Sequence, residues 1–422
     1  MPPSRNHILA LLPTNHTFTR IRRQLTFRSQ SGRVPACSLL PQELWDKILN
    51  LLSFWDLKSS ALVCRAFVAR AQMTLFRCMK VGVAHWYFDP PMITGNQLAE
   101  LLARSPHLIE YICELKIRCD EETLVPIVRI PWSRLSSVSL TRDIVEEETL
   151  DLLITSLVSL PSLRAVRFGF WEANDLRKII TSCSPSVVCL GLTSLSPGTL
   201  FPSYSEVSLP KQRPSITHLE LSYLSPSSPI LALLLDPACP FDFSGLKNMK
   251  LECLMGGTLS AVLHPFQQTI ENLEFNVWDD SESCESLNFS SFPVLSHISI
   301  GGTKETVIPL HRALERSRRN GIRTICYPNF LPFMVDLMPT FESCILAGDM
   351  PELQMVEVRP RNSWEEEDRP TSGKAPRSKK KQFVFRPPIP VPSTYSDAEW
   401  TSIIEEKMPR LVERGILVIT FG

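Results

Sequence analysis

The stretch 112-ICELKIRCDEETLVPIVRIPWSRLSSVSL-140 holds one six-residue pattern twice, apolar at its first, fourth and sixth positions, with helix-compatible sequence between the copies. The pattern returns at 163-LRAVRF-168, 187-VVCLGL-192, 216-ITHLEL-221, 246-LKNMKL-251, 270-IENLEF-275, 295-LSHISI-300, 322-IRTICY-327 and 353-LQMVEV-358. Successive starts lie 23 to 31 residues apart, so the period is a property of the chain and not of one segment. Side chains alternate across a strand, which sends positions 4 and 6 to one face and position 5 to the other. A single unit cannot bury its own apolar face, and neighbouring units must bury one another. The expected fold is α/β: stacked strands in a parallel sheet lining the concave side of a curved solenoid, with helices such as 149-TLDLLITSLVSL-160 and 174-NDLRKIITSC-183 outside it.

These units resemble leucine-rich repeats, whose period is about 20–29 residues with one short strand each. The family's usual ninth-position asparagine is replaced by Asp143, Trp171, Leu195, Leu224, Leu254, Trp278 and Thr303, so the repeats are degenerate. Two further units, 76-FRCMKV-81 and 416-ILVITF-421, stand where terminal caps are expected. Between the last two units lies 361-RNSWEEEDRPTSGKAPRSKKKQFVFRPPIPVPST-394, whose charge blocks and prolines supply too little apolar surface to offset the entropy of ordering. It is expected to be a flexible insertion in which Lys374 to Lys381 form a solvated charge run, a nuclear localisation signal being the other reading. The repeat array then spans 81–360, and 395–422 form its C-terminal cap.

Upstream of the repeats runs 39-LLPQELWDKILNLLSFWDLKSSALVCRAFVARAQMTLFRCMKV-81. Pro41 suits a helix start, and Leu44, Ile48 and Leu52, with Trp45 and Leu49 alongside, predict an apolar stripe. Asp56 is placed to cap a second helical stretch carrying Leu57, Ala61, Leu62, Cys64 and Phe67. A module of some forty residues is near the size at which an isolated core is marginal, so part of its apolar surface is expected to await a partner. The order LP-x-EL, I-L, L, D-L and L-V-C-R-x-F over residues 39–80 resembles the F-box. The resemblance implies a Skp-type adaptor and a cullin as partners, with adaptor contact assigned to Leu40, Pro41, Leu44, Ile48, Leu49, Leu52, Leu57, Val63, Cys64 and Phe67, and Glu43 at the family's polar position. Phe54 and Trp55 depart from the family, which has small or polar residues in that turn. Taken whole, the chain resembles the divergent F-box proteins with leucine-rich-repeat-like C-terminal regions of mushroom-forming fungi.

The remaining features mostly exclude. Lysines and arginines number 44, as do the acidic residues, so no net charge draws the chain to nucleic acid. No apolar run approaches the roughly 18 residues of a membrane span. The 12 cysteines include no C-x-x-C pair, which argues against a metal or disulfide framework and for a reducing compartment, cytoplasmic or nuclear. Residues 1–38 hold arginines and no acidic residue; a disordered basic tail fits them better than a mitochondrial targeting segment. Phosphate-loop, metalloprotease, hydrolase and dinucleotide motifs are all absent, so the chain is expected to be a non-catalytic adaptor that needs no cofactor. The other class of function left open is a repeat scaffold that engages no ubiquitin ligase. In either case an unidentified protein is expected on the outward sheet face, where position 5 carries Ser139, Arg167, Gly191, Glu220, Lys250, Glu274 and Ser299, and the candidates for contact are Arg167, Glu220, Lys250 and Glu274.

Overall fold

The computed structural model describes residues 41–422 apart from 64, 83–91, 120, 143–147, 170–175, 177–178, 194–211, 224–232, 237–238, 253–257, 278–283, 285, 303, 318–319, 331, 349, 361–394 and 422. The expectations for residues 1–38, for the ninth repeat positions and for the insertion 361–394 therefore lie outside the described residues. The chain divides into two units, Met1–Leu157 and Val158–Gly422.

In the first unit, helices α1 (Gln42–Asn50), α2 (Phe54–Val63) and α3 (Arg65–Phe76) precede strand β1 (Cys78–Val81). Helix α4 (Gly95–Arg104) follows, opened by a capping box in which Thr94 accepts from the Gln97 amide and Gln97 returns a bond to the Thr94 amide. Then come β2 (Glu114–Cys119), α5 (Glu121–Val128), β3 (Ser137–Arg142) and α6 (Glu148–Val158). The three strands pair in parallel and in chain order, with Lys80, Lys116 and Ser139 side by side. Helix α3 packs directly on β1, which fastens the helical module to the first repeat.

The second unit continues with β4 (Ala165–Gly169), β5 (Cys189–Thr193), β6 (His218–Ser222), β7 (Asn248–Glu252), β8 (Asn272–Val277), β9 (His297–Gly302), β10 (Thr324–Phe330), β11 (Met355–Pro360) and β12 (Leu417–Ile419). Again every pairing is parallel and between consecutive strands. Described helices between strands are α7 (Thr258–Leu263), α8 (Lys304–Arg316), α9 (Met338–Ala347), α10 (Asp397–Lys407) and α11 (Pro409–Glu413). This is the parallel α/β repeat architecture that the period predicts.

From β1 to β11 each strand begins at the third position of its six-residue pattern, and like positions pair with like. Positions 4 and 6 are buried throughout β2 to β11, from Leu115 and Ile117 to Val356 and Val358, and position 1 is buried from Ile112 to Ile322. Within each unit three apolar columns, each contributed one residue per repeat, thus form its core. Full burial of one such side chain stabilises by about 1.5–3 kcal/mol.

The last repeat corrects the motif frame. Val356 pairs with Leu417 and Val358 with Ile419, so Leu417 and Ile419 take positions 4 and 6, and Phe421 lies beyond the strand, exposed. The cause is local. Gly415, at φ 68, ends α11 in a left-handed turn, and the Ile416 carbonyl at once accepts the Val356 amide at 2.7 Å. Buried Glu342 of α9 holds α11 in place by accepting the Arg410 and Leu411 amides at 2.7 and 3.0 Å. Strand β12 accordingly ends the sheet of the second unit.

One polar cluster sits inside this core. His311 of α8 is fully buried, stacks on Phe341 with centroids 4.1 Å apart, and donates from Nδ1 to the Val307 carbonyl at 2.7 Å. Its Nε2 therefore accepts from the Tyr327 hydroxyl. Burial lowers the His311 pKa from 6.5 to about 4, against the opposing pull of the Val307 carbonyl. Between those pH values the unfolded chain binds the extra proton, so stability is full above 6.5 and is lost as pH falls towards 4. At pH 5 the expected loss is about 2 kcal/mol. Urea unfolding at pH 7.5 and pH 5 should show a smaller difference in His311→Phe than in the wild type.

Candidate functional site

Helix α1 carries two apolar stripes, not the single one that the sequence suggests. Trp45, Leu49 and Leu52 turn inward, where Leu49 joins Leu57, Phe67 and Ala71 in the module's core and the Trp45 ring meets Phe67 at 4.8 Å. Leu44, Ile48 and Leu51 turn outward and are 44%, 39% and 87% exposed. On α2, Trp55, Leu62 and Val63 are exposed as well. Ser53 caps α2: its hydroxyl accepts the Asp56 amide at 3.3 Å and donates to the Asp56 carboxylate at 2.7 Å. The cap is thus one turn earlier than Asp56, which serves as its partner. Arg70 of α3 donates from Nε and Nη2 to Asn50 Oδ1 at 3.1 and 2.8 Å, tying the end of α1 to α3.

Residues 37–70 match the F-box domain family. No curated protein matches the chain. Of the residues that the sequence assigned to adaptor contact, Pro41, Glu43, Leu44, Ile48 and Val63 are on the surface of the F-box, and Leu52 is half-buried. Leu49, Leu57 and Phe67 are closed into its core, because a three-helix module this small needs them there. Leu40 and Cys64 lie outside the described residues. Sequence reading missed Leu51 and Leu62 as exposed apolar residues, although Leu51 follows Ile48 by three and so shares its face. Trp55, the unexplained aromatic of the turn, is 46% exposed and lies under the Lys58 ammonium, 5.4 Å from its centroid. Exposed apolar side chains grouped on a domain surface are open to burial by a partner.

The second surface is the outward face of the sheet in the second unit, where position 5 forms one column. The structure brings all four sequence candidates together there. Arg167 reaches across β5 and holds Glu220 bidentately, Nε to Oε2 at 2.6 Å and Nη2 to Oε1 at 2.7 Å. The intervening strand allows this because it presents Gly191; a Cβ there would stand 2.7 Å from Arg167 Cγ. Lys250 bonds Glu252 at 2.8 Å and Glu274 at 3.4 Å. Burial works to raise the Glu220 pKa, but the Arg167 hydrogen bonds and charge, with Lys250, outweigh it and hold the pKa below the ordinary value. For Lys250 burial works downward, and Glu252 and Glu274 outweigh it upward.

Position 3 forms a column of histidines and asparagines beside it, His218, Asn248, Asn272 and His297 on consecutive strands. Asn272 Nδ2 lies 2.7 Å from Asn248 Oδ1, and Asn248 Nδ2 lies 3.0 Å from His218 Nε2. Thr217 gives its one proton to the Val188 carbonyl, so His218 Nδ1, at 2.8 Å, is the donor to Thr217. The same holds for Ser296, which donates to the Glu271 carbonyl and receives from His297 Nδ1 at 2.8 Å. Among the described residues no group of three or more His, Cys, Asp or Glu is arranged to hold a metal.

The Arg167 bridge makes Gly191 hard to replace. Gly191→Ala should cost about 1–3 kcal/mol by crowding the arginine stem. The penalty should shrink when Arg167→Ala is made first, as a urea-unfolding double-mutant cycle would report.

Proposed function

We propose that this chain is a substrate adaptor of an SCF-type ubiquitin ligase. Its F-box binds the Skp-type adaptor, through that protein the cullin, and its leucine-rich-repeat-like sheet binds the substrate. The observation that carries the reading is the F-box match at residues 37–70, supported by exposed Leu44, Ile48 and Leu51 on one face of α1. A monomeric domain gains nothing from a leucine that is 87% exposed, whereas a partner that covers it gains burial energy. In this role the chain performs no chemistry; it raises the concentration of substrate near a ubiquitin-charged conjugating enzyme.

The two stripes of α1 separate binding from folding. Leu44→Asp and Leu51→Asp should leave the circular-dichroism spectrum and the unfolding midpoint nearly unchanged and weaken binding to a purified Skp-type adaptor about tenfold to hundredfold, read by calorimetry. Leu49→Asp should unfold the module, because it places an unpaired carboxylate in the core. Wild-type protein that fails to bind the adaptor would leave the repeats as a scaffold outside any ligase.

A further inference from the structure

We propose that the outward face of strands β6 to β9 is a docking site for a basic, extended segment of the substrate protein, recognised through lysine or arginine side chains. The inference rests on the adaptor reading for the word substrate, and its chemistry comes from what the face has left over after its own side chains have paired.

Consider first the charged columns. At positions 5 and 7, β6 presents Glu220 and Ser222, β7 presents Lys250 and Glu252, and β8 presents Glu274 and Asn276. Arg167 takes up Glu220 by its bidentate bridge. Among the described residues at these positions Lys250 is then the single cation set against two carboxylates, Glu252 and Glu274, and it bonds both. One negative charge remains on a surface whose Glu252 and Glu274 side chains are 30% and 42% exposed. A second cation arriving there would be attracted, and an anion would be repelled.

The histidine and asparagine column has the same polarity. With His218 and His297 each donating from Nδ1, the ladder runs in one direction: Asn272 donates to Asn248, and Asn248 donates to His218. Besides the second N–H of Asn272, the groups that this direction leaves over are acceptors. Among the described residues neither Asn272 Oδ1 nor the Nε2 of the exposed His297 has a hydrogen-bond partner. Two independent columns thus call for a ligand rich in N–H donors, which suits both a peptide backbone and cationic side chains.

Tyr223 adds an aromatic edge. It follows β6 directly, its amide donates to the Glu252 carbonyl at 3.0 Å, and it is 52% exposed. Its φ of 57 makes it the only described residue other than glycine in the left-handed region. Such a conformation costs about 1 kcal/mol or more and favours glycine, yet the position holds an exposed ring on the backbone next to Glu252, and a ring offers a bound ammonium or guanidinium a π face.

Geometry sets the size of the ligand. Four adjacent strands span three inter-strand spacings, about 14 Å, which an extended chain covers in four to five residues. An acidic or phosphorylated segment would be repelled by the charge left on the carboxylates.

The test uses the full chain co-purified with its Skp-type adaptor and an immobilised positional-scanning library of unmodified and phosphoserine-containing peptides. Wild-type protein should enrich lysine or arginine at one or two positions. In Glu252→Gln/Glu274→Gln that enrichment should vanish, with about a tenfold loss of affinity for the selected basic peptide, and added salt should weaken the wild-type complex. Tyr223→Gly suits the left-handed backbone, so it should stay folded while binding that peptide about threefold more weakly. Selection of acidic or phosphorylated peptides, no enrichment at all, or unchanged binding by either variant would overturn the proposal. Adaptor recovery is scored separately: loss of the adaptor refutes the ligase role, and loss of peptide selection with the adaptor still bound refutes only the substrate class.

Discussion

Parallel pairing of like position with like position is the constraint on which the rest of the structure depends. Because His218, Asn248, Asn272 and His297 stand side by side, so do Leu219, Met249, Leu273 and Ile298 behind them. A slip of one residue would turn every apolar position 4 and 6 to water and every charge at position 5 into the core. Register therefore builds the core and the outward surface in the same act. It also explains why charges distant in sequence can cooperate: Arg167 and Glu220 lie two strands apart and meet because the strand between them offers glycine.

The fold was legible because its signal repeats. Each six-residue pattern taken alone is ambiguous, but the spacing of successive patterns turns separate guesses into one architecture, and from β1 to β11 strand after strand begins where the pattern says. The last unit defeated the pattern because 416-ILVITF-421 matches it in full, whereas the frame that the strand adopts puts Arg414 at position 1. Only the turn at Gly415 decides between them. The F-box was legible in the order of its apolar residues, while the division of α1 into an inward and an outward stripe was not. Leu44 and Trp45 are neighbours in sequence and equally apolar, and which of them faces Phe67 depends on how α3 crosses α1. Likewise the sequence places Arg167, Glu220, Lys250 and Glu274 in one column without revealing that they pair with each other.

That pairing changes what the outward face can do. A ladder of opposite charges in which every member is satisfied would be a structural device, and exposed pairs of this kind contribute only about 0–1 kcal/mol each. Among the described residues the pairing is incomplete in one direction, since carboxylates and hydrogen-bond acceptors outnumber their partners. The F-box face is unlike it in kind, being apolar and aromatic through Leu44, Ile48, Leu51 and Trp55. A ligase contact that stays bound through many turnovers suits apolar burial, and a substrate that must be released suits charge.

The central claim is that the F-box face, and not the sheet, receives the ligase. Hydrogen–deuterium exchange on the full chain, alone and with a purified Skp-type adaptor, tests it most directly. The account predicts slowed exchange in peptides covering 42–63 on complex formation and unchanged exchange across 165–302. Absence of a complex, or protection confined to 165–302 with 42–63 unaffected, would contradict it.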